Sequence, residues 1–334
     1  MKDMYILGIE SSCDETSCAI VKNGSEILSC IVSSQIDVHK DFGGVVPEIA
    51  SRHHIKNITI VIEKCLKQAS MTMENIDAIA ITNGPGLIGS LLVGLEAAKT
   101  LSYIYNKPLI PVHHIAGHIY ANNLEKSMVF PLICLVVSGG HTELILMEDH
   151  YKFKKLGETL DDAVGECYDK VARVAKLGYP GGPALDNLSF QGDPKYELPM
   201  PLNDDSYNFS FSGLKSAVIN LANKLNQKGE QIKANDLAAS FQKVVVESLV
   251  KKTMKAIDDF HVKNLVVAGG VAANRGLREA LNIECEKRNI SFYVPTIDIC
   301  TDNAAMIAAA GYFAYLRGDR ADLDLNSKSS LELK

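Results

Sequence analysis

Pro131-Leu132-Ile133-Cys134-Leu135-Val136-Val137-Ser138-Gly139-Gly140-His141-Thr142-Glu143-Leu144-Ile145-Leu146-Met147 decides the fold, because it repeats a pattern already used at the start of the chain. An apolar, β-rich run enters a short turn of small polar residues and leaves it as a second apolar run, which reads as strand, turn, strand. Met4 to Glu10, the polar stretch Ser11 to Ser17 and the apolar run Cys18 to Val21 follow the same plan. Each unit opens about half of the chain, which suggests duplicated α/β domains facing each other across a cleft.

Working outward, Glu26 to Ser34 continues the first sheet, and Pro47 to Ser70 has helical spacing with Pro47 at a first helical position. Ile76 to Thr82 reads as a strand and Leu91 to Tyr105 as a helix, joined by Asn83-Gly84-Pro85-Gly86-Leu87-Ile88-Gly89-Ser90. That loop is neither a P-loop nor GxGxxG, so close helix–sheet packing explains its glycines best. In the second half, Leu160 to Leu177 is helical with Asp161, Asp162, Glu166 and Asp169 on its polar side, which reads as a solvated face. Pro183 starts a helix that carries Asp186. The loop-rich stretch Pro194 to Ser212 leads into a helix through Phe209-Ser210-Phe211-Ser212-Gly213-Leu214-Lys215, where aromatics beside Lys215 could meet a base and a phosphate, although a packed loop is the default.

Ala234 to Asp259 is a long amphipathic helix, Leu265 to Ala268 a strand, and Val271 to Arg288 a helix. Gly269-Gly270 between the last two makes the best ligand cradle in the chain, since glycine lets a base or phosphate lie against backbone at a helix N-terminus. Ser291 to Val294 is a last strand. Asp302 to Arg317 is a final helix expected to pack on the first domain, and the polar tail from Gly318 is expected to be loosely held.

His114-Ile115-Ala116-Gly117-His118 places two imidazoles one helical turn apart on one face, where both can reach one ion, against the plainer reading of two helix histidines packed or solvated with no chemical role. A metallopeptidase of that pattern needs Glu after the first histidine, and position 115 is Ile. A third ligand must come from elsewhere, and Asp302 is the most promising distant candidate. In the first turn, Asp14 and Glu15 could hold an ion or orient a nucleophile, against the plainer reading of a hairpin turn.

The 334 residues fit two domains, and 47% hydrophobic with 22% charged residues describes a globular chain. No apolar stretch has the length of a membrane span and the N-terminus lacks a signal pattern, so a cytoplasmic protein is expected. Eight cysteines without a CxxC pair argue against a disulfide framework. A net charge of −6 argues against a broad basic face that holds nucleic acid unaided.

Eight stretches in order carry a resemblance to one family: Gly8-Ile9-Glu10-Ser11-Ser12-Cys13-Asp14-Glu15-Thr16, Gly84-Pro85-Gly86-Leu87, His114-x-x-x-His118, Val137-Ser138-Gly139-Gly140-His141-Thr142, Tyr179-Pro180-Gly181-Gly182-Pro183, Phe209-Ser210-Phe211-Ser212-Gly213-Leu214-Lys215, Gly269-Gly270-Val271-Ala272-Ala273-Asn274-Arg275 and Thr301-Asp302-Asn303. Over about residues 4 to 316 the chain closely resembles the bacterial TsaD family, the tRNA N6-adenosine threonylcarbamoyltransferases once labelled sialoglycoprotein endopeptidases. It departs at Ala116, where the family often has Glu, and at Ala304, where Gly is usual.

The resemblance implies a duplicated actin-like, sugar-kinase and Hsp70 (ASKHA) α/β fold of two RNase H-like domains with a central nucleotide and metal cleft. It divides the chain into 1–112 with 301–318, then 113–300 with a helical insertion at about 158–232, and a polar tail at 319–334. It implies one Fe2+ per subunit, with Zn2+ as the alternative, on His114, His118 and Asp302. Substrate would be contacted by Val136, Val137, Ser138, Gly139, Gly140, Asp169, Gly182, Asp186 and Asn274, beside the Gly269-Gly270 cradle, so the acidic face includes a binding residue.

The implied activity transfers threonylcarbamoyl from threonylcarbamoyl-AMP to N6 of the adenosine 3′ of the anticodon, in tRNAs that read codons beginning with A. ATP or ADP would be able to take the place of that intermediate. Implied partners are the paralogue TsaB, the ATPase TsaE and tRNA, with a TsaC-type synthase supplying the intermediate and no membrane involved. Three readings compete: a small-molecule kinase on the same fold, a metallopeptidase, and a non-catalytic scaffold. Asp14 and Glu15 are the candidates for the base that takes the N6 proton.

Overall fold

A computed structural model describes residues 2–333. The chain divides into two compact units, one of Met1–Met128, His150–Lys152 and Pro295–Lys334, the other of Val129–Asp149 and Phe153–Val294.

The first unit begins with β1 (Tyr5–Glu10), β2 (Glu15–Lys22), β3 (Glu26–Ser34), the short α1 (Ile36–Lys40) and α2 (Pro47–Gln68), followed by β4 (Ala78–Gly84), α3 (Ile88–Tyr105), β5 (Leu109–His113) and α4 (His114–Ala121). Its sheet runs β3-β2-β1-β4-β5, antiparallel through the first three strands and parallel from β1 to β5. Almost every residue of β1, β2 and β4 is buried, as strands covered on both faces require. Leu7, Ile9, Cys18 and Ile20 pack against Ile58, Val61, Ile62 and Cys65 of α2 and Leu95 and Ala98 of α3. Each large apolar side chain so buried contributes about 1.5–3 kcal/mol.

The second unit holds β6 (Leu132–Val137), β7 (Thr142–Asp149), β8 (Lys152–Glu158), α5 (Val164–Val174), α6 (Gly181–Ser189), α7 (Ser212–Gln227), α8 (Ala234–Phe260), β9 (Asn264–Ala268), α9 (Arg275–Arg288) and β10 (Ser291–Tyr293). Its sheet runs β10-β9-β6-β7-β8. Read from the β8 side, that strand order matches the first sheet, with β6 antiparallel to β7 and parallel to β9, and β9 parallel to β10, so the repetition seen in two short turns extends to the strand order. The chain closes with α10 (Ile297–Cys300) and α11 (Ala304–Arg317) in the first unit. There α11 lies so close to β1 that a Cβ on Gly8 would sit 2.3 Å from the Ala304 carbonyl oxygen.

Several expected boundaries move, each for a local reason. The first turn shrinks to Ser11–Asp14, because Glu15, Thr16 and Ser17 pair in register with Ser34, Ser33 and Val32, and the Ser17 hydroxyl donates to the Ile31 carbonyl. The helix expected from Leu160 starts at Val164, whose N–H donates to the Thr142 hydroxyl. After Gly269 the chain makes one 3-10 turn, and α9 starts only at Arg275 because Asn274 caps it by accepting from the Leu277 N–H. Asn303 caps α11 in the same way, which leaves Asp302 in the bend before the helix and not at its head.

His113 to Met128, assigned by sequence to the second domain, clusters with the first unit. Gly117 on α4 is the reason, since a Cβ there would meet Ile307 of α11 at 2.6 Å. The tail is not loose. The Ala321 N–H donates to the Leu109 carbonyl, Lys328 N–H to Asn83, and Gly86 N–H to the Ser329 carbonyl, so the segment runs as a clamp along the β4–α3 loop. Among the described residues no helix is long and apolar enough to cross a membrane.

Candidate metal centre and glycine-lined loops

Every residue of α4 is buried, so its two histidines face protein and not bulk water. His113 caps the helix, its Nδ1 accepting from the Ile115 N–H at 3.1 Å. The ring proton therefore sits on Nε2, which donates to the Leu331 carbonyl of the tail at 3.0 Å. Burial first, then the neighbouring His114, keeps His113 neutral by lowering its pKa to about 4.

One turn on, the rings of His114 and His118 meet edge to face at 4.6 Å. Both Nε2 atoms point at one oxygen, Asp302 Oδ1, at 3.6 Å and 3.2 Å. One donor atom from each of the three residues lies within 4.8 Å of the other two, a spacing that a single ion can span. Two imidazoles and a carboxylate suit a borderline cation such as Fe2+ or Zn2+ and leave coordination positions for other ligands.

The far side of His114 is held by a residue that the sequence reading passed over as an ordinary strand position. Glu10, fully buried at the end of β1, meets His114 Nδ1 at 3.2 Å through Oε2, which also accepts from Thr82 Oγ1 at 2.7 Å. Its other oxygen accepts from the Ser12 N–H, and Ser12 Oγ lies 3.2 Å from the same Nδ1. Burial alone would push Glu10 up, but the charge of and hydrogen bond to His114 hold it below the usual carboxylate range. A buried acid in an otherwise apolar strand was the available signal. Glu15, by contrast, is pushed up to about 10 by burial and by the charges of Asp302 and Asp14.

In the second unit, Asp169 on α5 accepts from the Gly181 N–H at 2.7 Å, and burial raises its pKa despite the Gly181 and Gly182 N–H groups. Asp186 on α6 is nearly buried; its Oδ1 accepts from Gln242 at 2.8 Å and its Oδ2 from the Arg275 N–H at 3.2 Å. Asn274 spends its Oδ1 on the α9 cap and its Nδ2 on Gln242 and Tyr168. Val136 and Val137 are wholly buried, so only their backbone can serve a ligand.

The two cradle glycines differ. Gly269 has φ +94°, and a Cβ on it would lie 2.4 Å from the Val137 carbonyl oxygen, so the backbone itself requires glycine there. A Cβ on Gly270 would meet nothing within 4 Å, and the same holds for Gly139, Gly140 and Gly182. These four positions border open space.

The family described as TsaD: tRNA N6-adenosine threonylcarbamoyltransferase matches residues 26–309. The chain belongs to the TsaD family. It is 58% identical over 334 residues to the tRNA N6-adenosine threonylcarbamoyltransferase of Staphylococcus carnosus, covering 100% of this chain and 97% of that one. It is 59% identical to the enzyme of the same name from Bacillus subtilis, covering 99% and 96%. The chain is therefore a transferase of tRNA modification. Among solved structures, full-length HypF in its phosphate- and nucleotide-bound form superposes with a TM-score of 0.61 at 16% identity over 94% of this chain and 46% of that one, a likeness of fold alone.

In this TsaD chain, one local expectation gives way and another is qualified. Phe209 and Phe211 are fully buried and stack on each other, so neither offers a face to a base. Asp161 is exposed, as a solvated face implies, but it is not idle: it accepts from Ser210 Oγ and Ser212 Oγ at 2.6 Å each and from the N–H groups of Phe211 and Ser212, which pins the start of α7. The Ser138 N–H donates to the His141 carbonyl and the Gly140 N–H to Ser138 Oγ, which leaves Gly139 as the uncommitted N–H of that turn. Ala116 and Ala304, the departures from the family, are buried and coordinate nothing.

Proposed function

We propose that the chain transfers the threonylcarbamoyl group of threonylcarbamoyl-AMP to N6 of the adenosine 3′ of the anticodon, in tRNAs that read codons beginning with A. The carbonyl carbon gains a bond to N6 and loses its bond to the phosphate oxygen, the N6 proton passes to a base, and AMP leaves. The observation that carries this reading is the convergence of His114, His118 and Asp302 within 4.8 Å in a chain of the TsaD family.

An exocyclic adenine amine is a weak nucleophile because its lone pair is delocalised into the ring, so activation falls on the acyl side. A divalent cation on the three residues, Fe2+ or in its place Zn2+, would supply Lewis-acid neutralisation of charge on phosphate or carbonyl oxygens. Glu10 holds the His114 ring so that Nε2 stays turned to that position. In the second unit, Asp169, Gly182, Asp186 and Asn274 bind the adenylate together with the backbone of Val136 to Gly140 and the Gly269-Gly270 turn. The Gly139 N–H is the donor of that turn left for an acyl oxygen. Of the two candidates for the N6 proton, Asp14 is retained, because burial and the charges of Asp302 and Asp14 keep Glu15 protonated at neutral pH.

A chain of net charge −6 gains its tRNA from an assembly, with a TsaB paralogue and a TsaE ATPase as partners and a TsaC-type synthase supplying the intermediate, in the cytoplasm. The test is reconstitution with those purified partners, synthetic intermediate and unmodified tRNA. Threonylcarbamoyladenosine in the digested tRNA is the expected product. A phosphorylated small molecule formed from ATP, with no modified nucleoside, would replace this reading by a kinase.

A further inference from the structure

Gln242 lies in the middle of α8, far in sequence from every stretch that carried the functional reading. It is 6% exposed. A buried amide with two donors and two acceptor positions is costly unless all four are matched, and here they are. Nε2 donates to Asp186 Oδ1 at 2.8 Å and to Ser189 Oγ at 2.9 Å. Oε1 accepts from Asn274 Nδ2 at 2.9 Å and from the Tyr168 hydroxyl at 3.2 Å.

The orientation of this amide is forced from both ends. The Leu277 N–H can only donate, so it fixes Asn274 Oδ1 toward α9 and Asn274 Nδ2 toward Gln242. Gln242 must then present its oxygen to Asn274 and its amino group to Asp186. Asp186 receives Gln242 on Oδ1, and its Oδ2 accepts from the Arg275 N–H, the first peptide of α9, and at 3.5 Å from Nε of the half-exposed Arg275 side chain, a long contact that a ligand can displace. Polarity is thus passed from a helix N-terminus through two amides to one carboxylate. Gly276 leaves room for it, since a Cβ there would lie 2.5 Å from Gln242 Nε2.

We infer that Gln242 is the positioning residue of the adenine-nucleotide site, setting the donor and acceptor polarity of Asp186 and Asn274 so that Asp186 Oδ2 is the oxygen offered to AMP. This rests on the reading of Asp186 and Asn274 as nucleotide-binding residues. Gln242 touches no nucleotide itself. A glutamate in its place would set one carboxylate against another, whereas methionine would fill the same volume without polarity.

Calorimetric titration of AMP into the full chain tests this, with wild type, Asp186→Asn, Gln242→Glu, Gln242→Met, Gly276→Ala and the double variant Asp186→Asn with Gln242→Glu, and with melting temperature and zinc content recorded for each. Gln242→Glu is expected to raise the AMP Kd about tenfold or more with metal content unchanged, and Gly276→Ala to raise it in the same direction by crowding the amide. In the Asp186→Asn background the same glutamate is expected to cost less than about threefold, because the new asparagine can donate to it. Equal costs in both backgrounds, or losses of affinity that track lost melting temperature in Gln242→Met and Gln242→Glu alike, would reduce Gln242 to a packing residue and overturn the inference. If AMP affinity is unaltered by both Gln242→Glu and Gly276→Ala while Asp186→Asn weakens it, the inference fails alone. An unaltered Kd in Asp186→Asn overturns the nucleotide reading itself and takes the inference with it.

Discussion

The Glu10 carboxylate and His114 Nδ1 lie 3.2 Å apart in a buried pair, so one ring nitrogen is occupied before any ion arrives. Second partners of this kind orient a ligating imidazole and raise its basicity, and losing one costs about 10–100-fold in metal affinity. Glu10→Gln is therefore expected to weaken zinc binding by about that factor, read by competition with a chelating dye on metal-free protein. Unchanged affinity would mean that Glu10 serves only the strand.

The same pair predicts proton release on metal uptake. Burial lowers the pKa of His114, but Asp302 and Glu10 outweigh it and raise the metal-free value to about 9. A histidine raised above its unfolded value near 6.5 stabilises the metal-free fold fully below that pH, and the contribution is lost as pH rises through about 9. A cation must displace that proton, so affinity should climb with pH across this interval. Calorimetry of zinc binding at neutral pH, in two buffers of different ionisation enthalpy, is expected to report release of about one proton. A buffer-independent enthalpy would contradict it.

A valine at position 270 would add its side chain where a Cβ meets nothing within 4 Å. Gly270→Val is thus expected to leave the melting temperature nearly unchanged and to weaken AMP binding. An unaltered calorimetric Kd would remove Gly270 from the cradle.

How much of this was legible in the sequence differs residue by residue. The histidine pair and the duplicated strand–turn–strand units could be found because spacing on a helix and alternation in strands are local properties, whereas Asp302 entered as a distant candidate and through the family resemblance. Glu10 left one trace, an acid in an apolar strand, but the roles of Glu10, Gln242 and Asp161 were not legible, because each acts through partners tens of residues away or more: Glu10 through His114, Gln242 through Asp186 and Asn274, Asp161 through Ser210 and Ser212. Composition misled on the tail for the same reason. A polar segment reads as solvated until its backbone is seen to pair with Asn83, Gly86 and His113.

That pairing carries its own prediction. Deleting the chain beyond Asn326 removes the hydrogen bonds of Lys328, Ser329 and Leu331 to the β4–α3 loop and His113. At about 1 kcal/mol net for each bond, the loss is expected to be about 3 kcal/mol, seen as a lower urea midpoint. An unchanged midpoint would restore the view of a loosely held tail.

The metal site proposed on His114, His118 and Asp302 is tested most directly by Asp302→Ala. The Asp302 side chain is partly exposed and precedes α11 without capping it, so the helix does not depend on it, and its loss removes the repulsion of Glu15 together with the attraction to His114. Elemental analysis of the purified variant, alongside nucleoside analysis of tRNA from the reconstituted reaction, is expected to show metal occupancy and threonylcarbamoyl transfer falling together while the melting temperature holds. Full metal content with normal modification would contradict the account and leave the histidine pair without its third ligand.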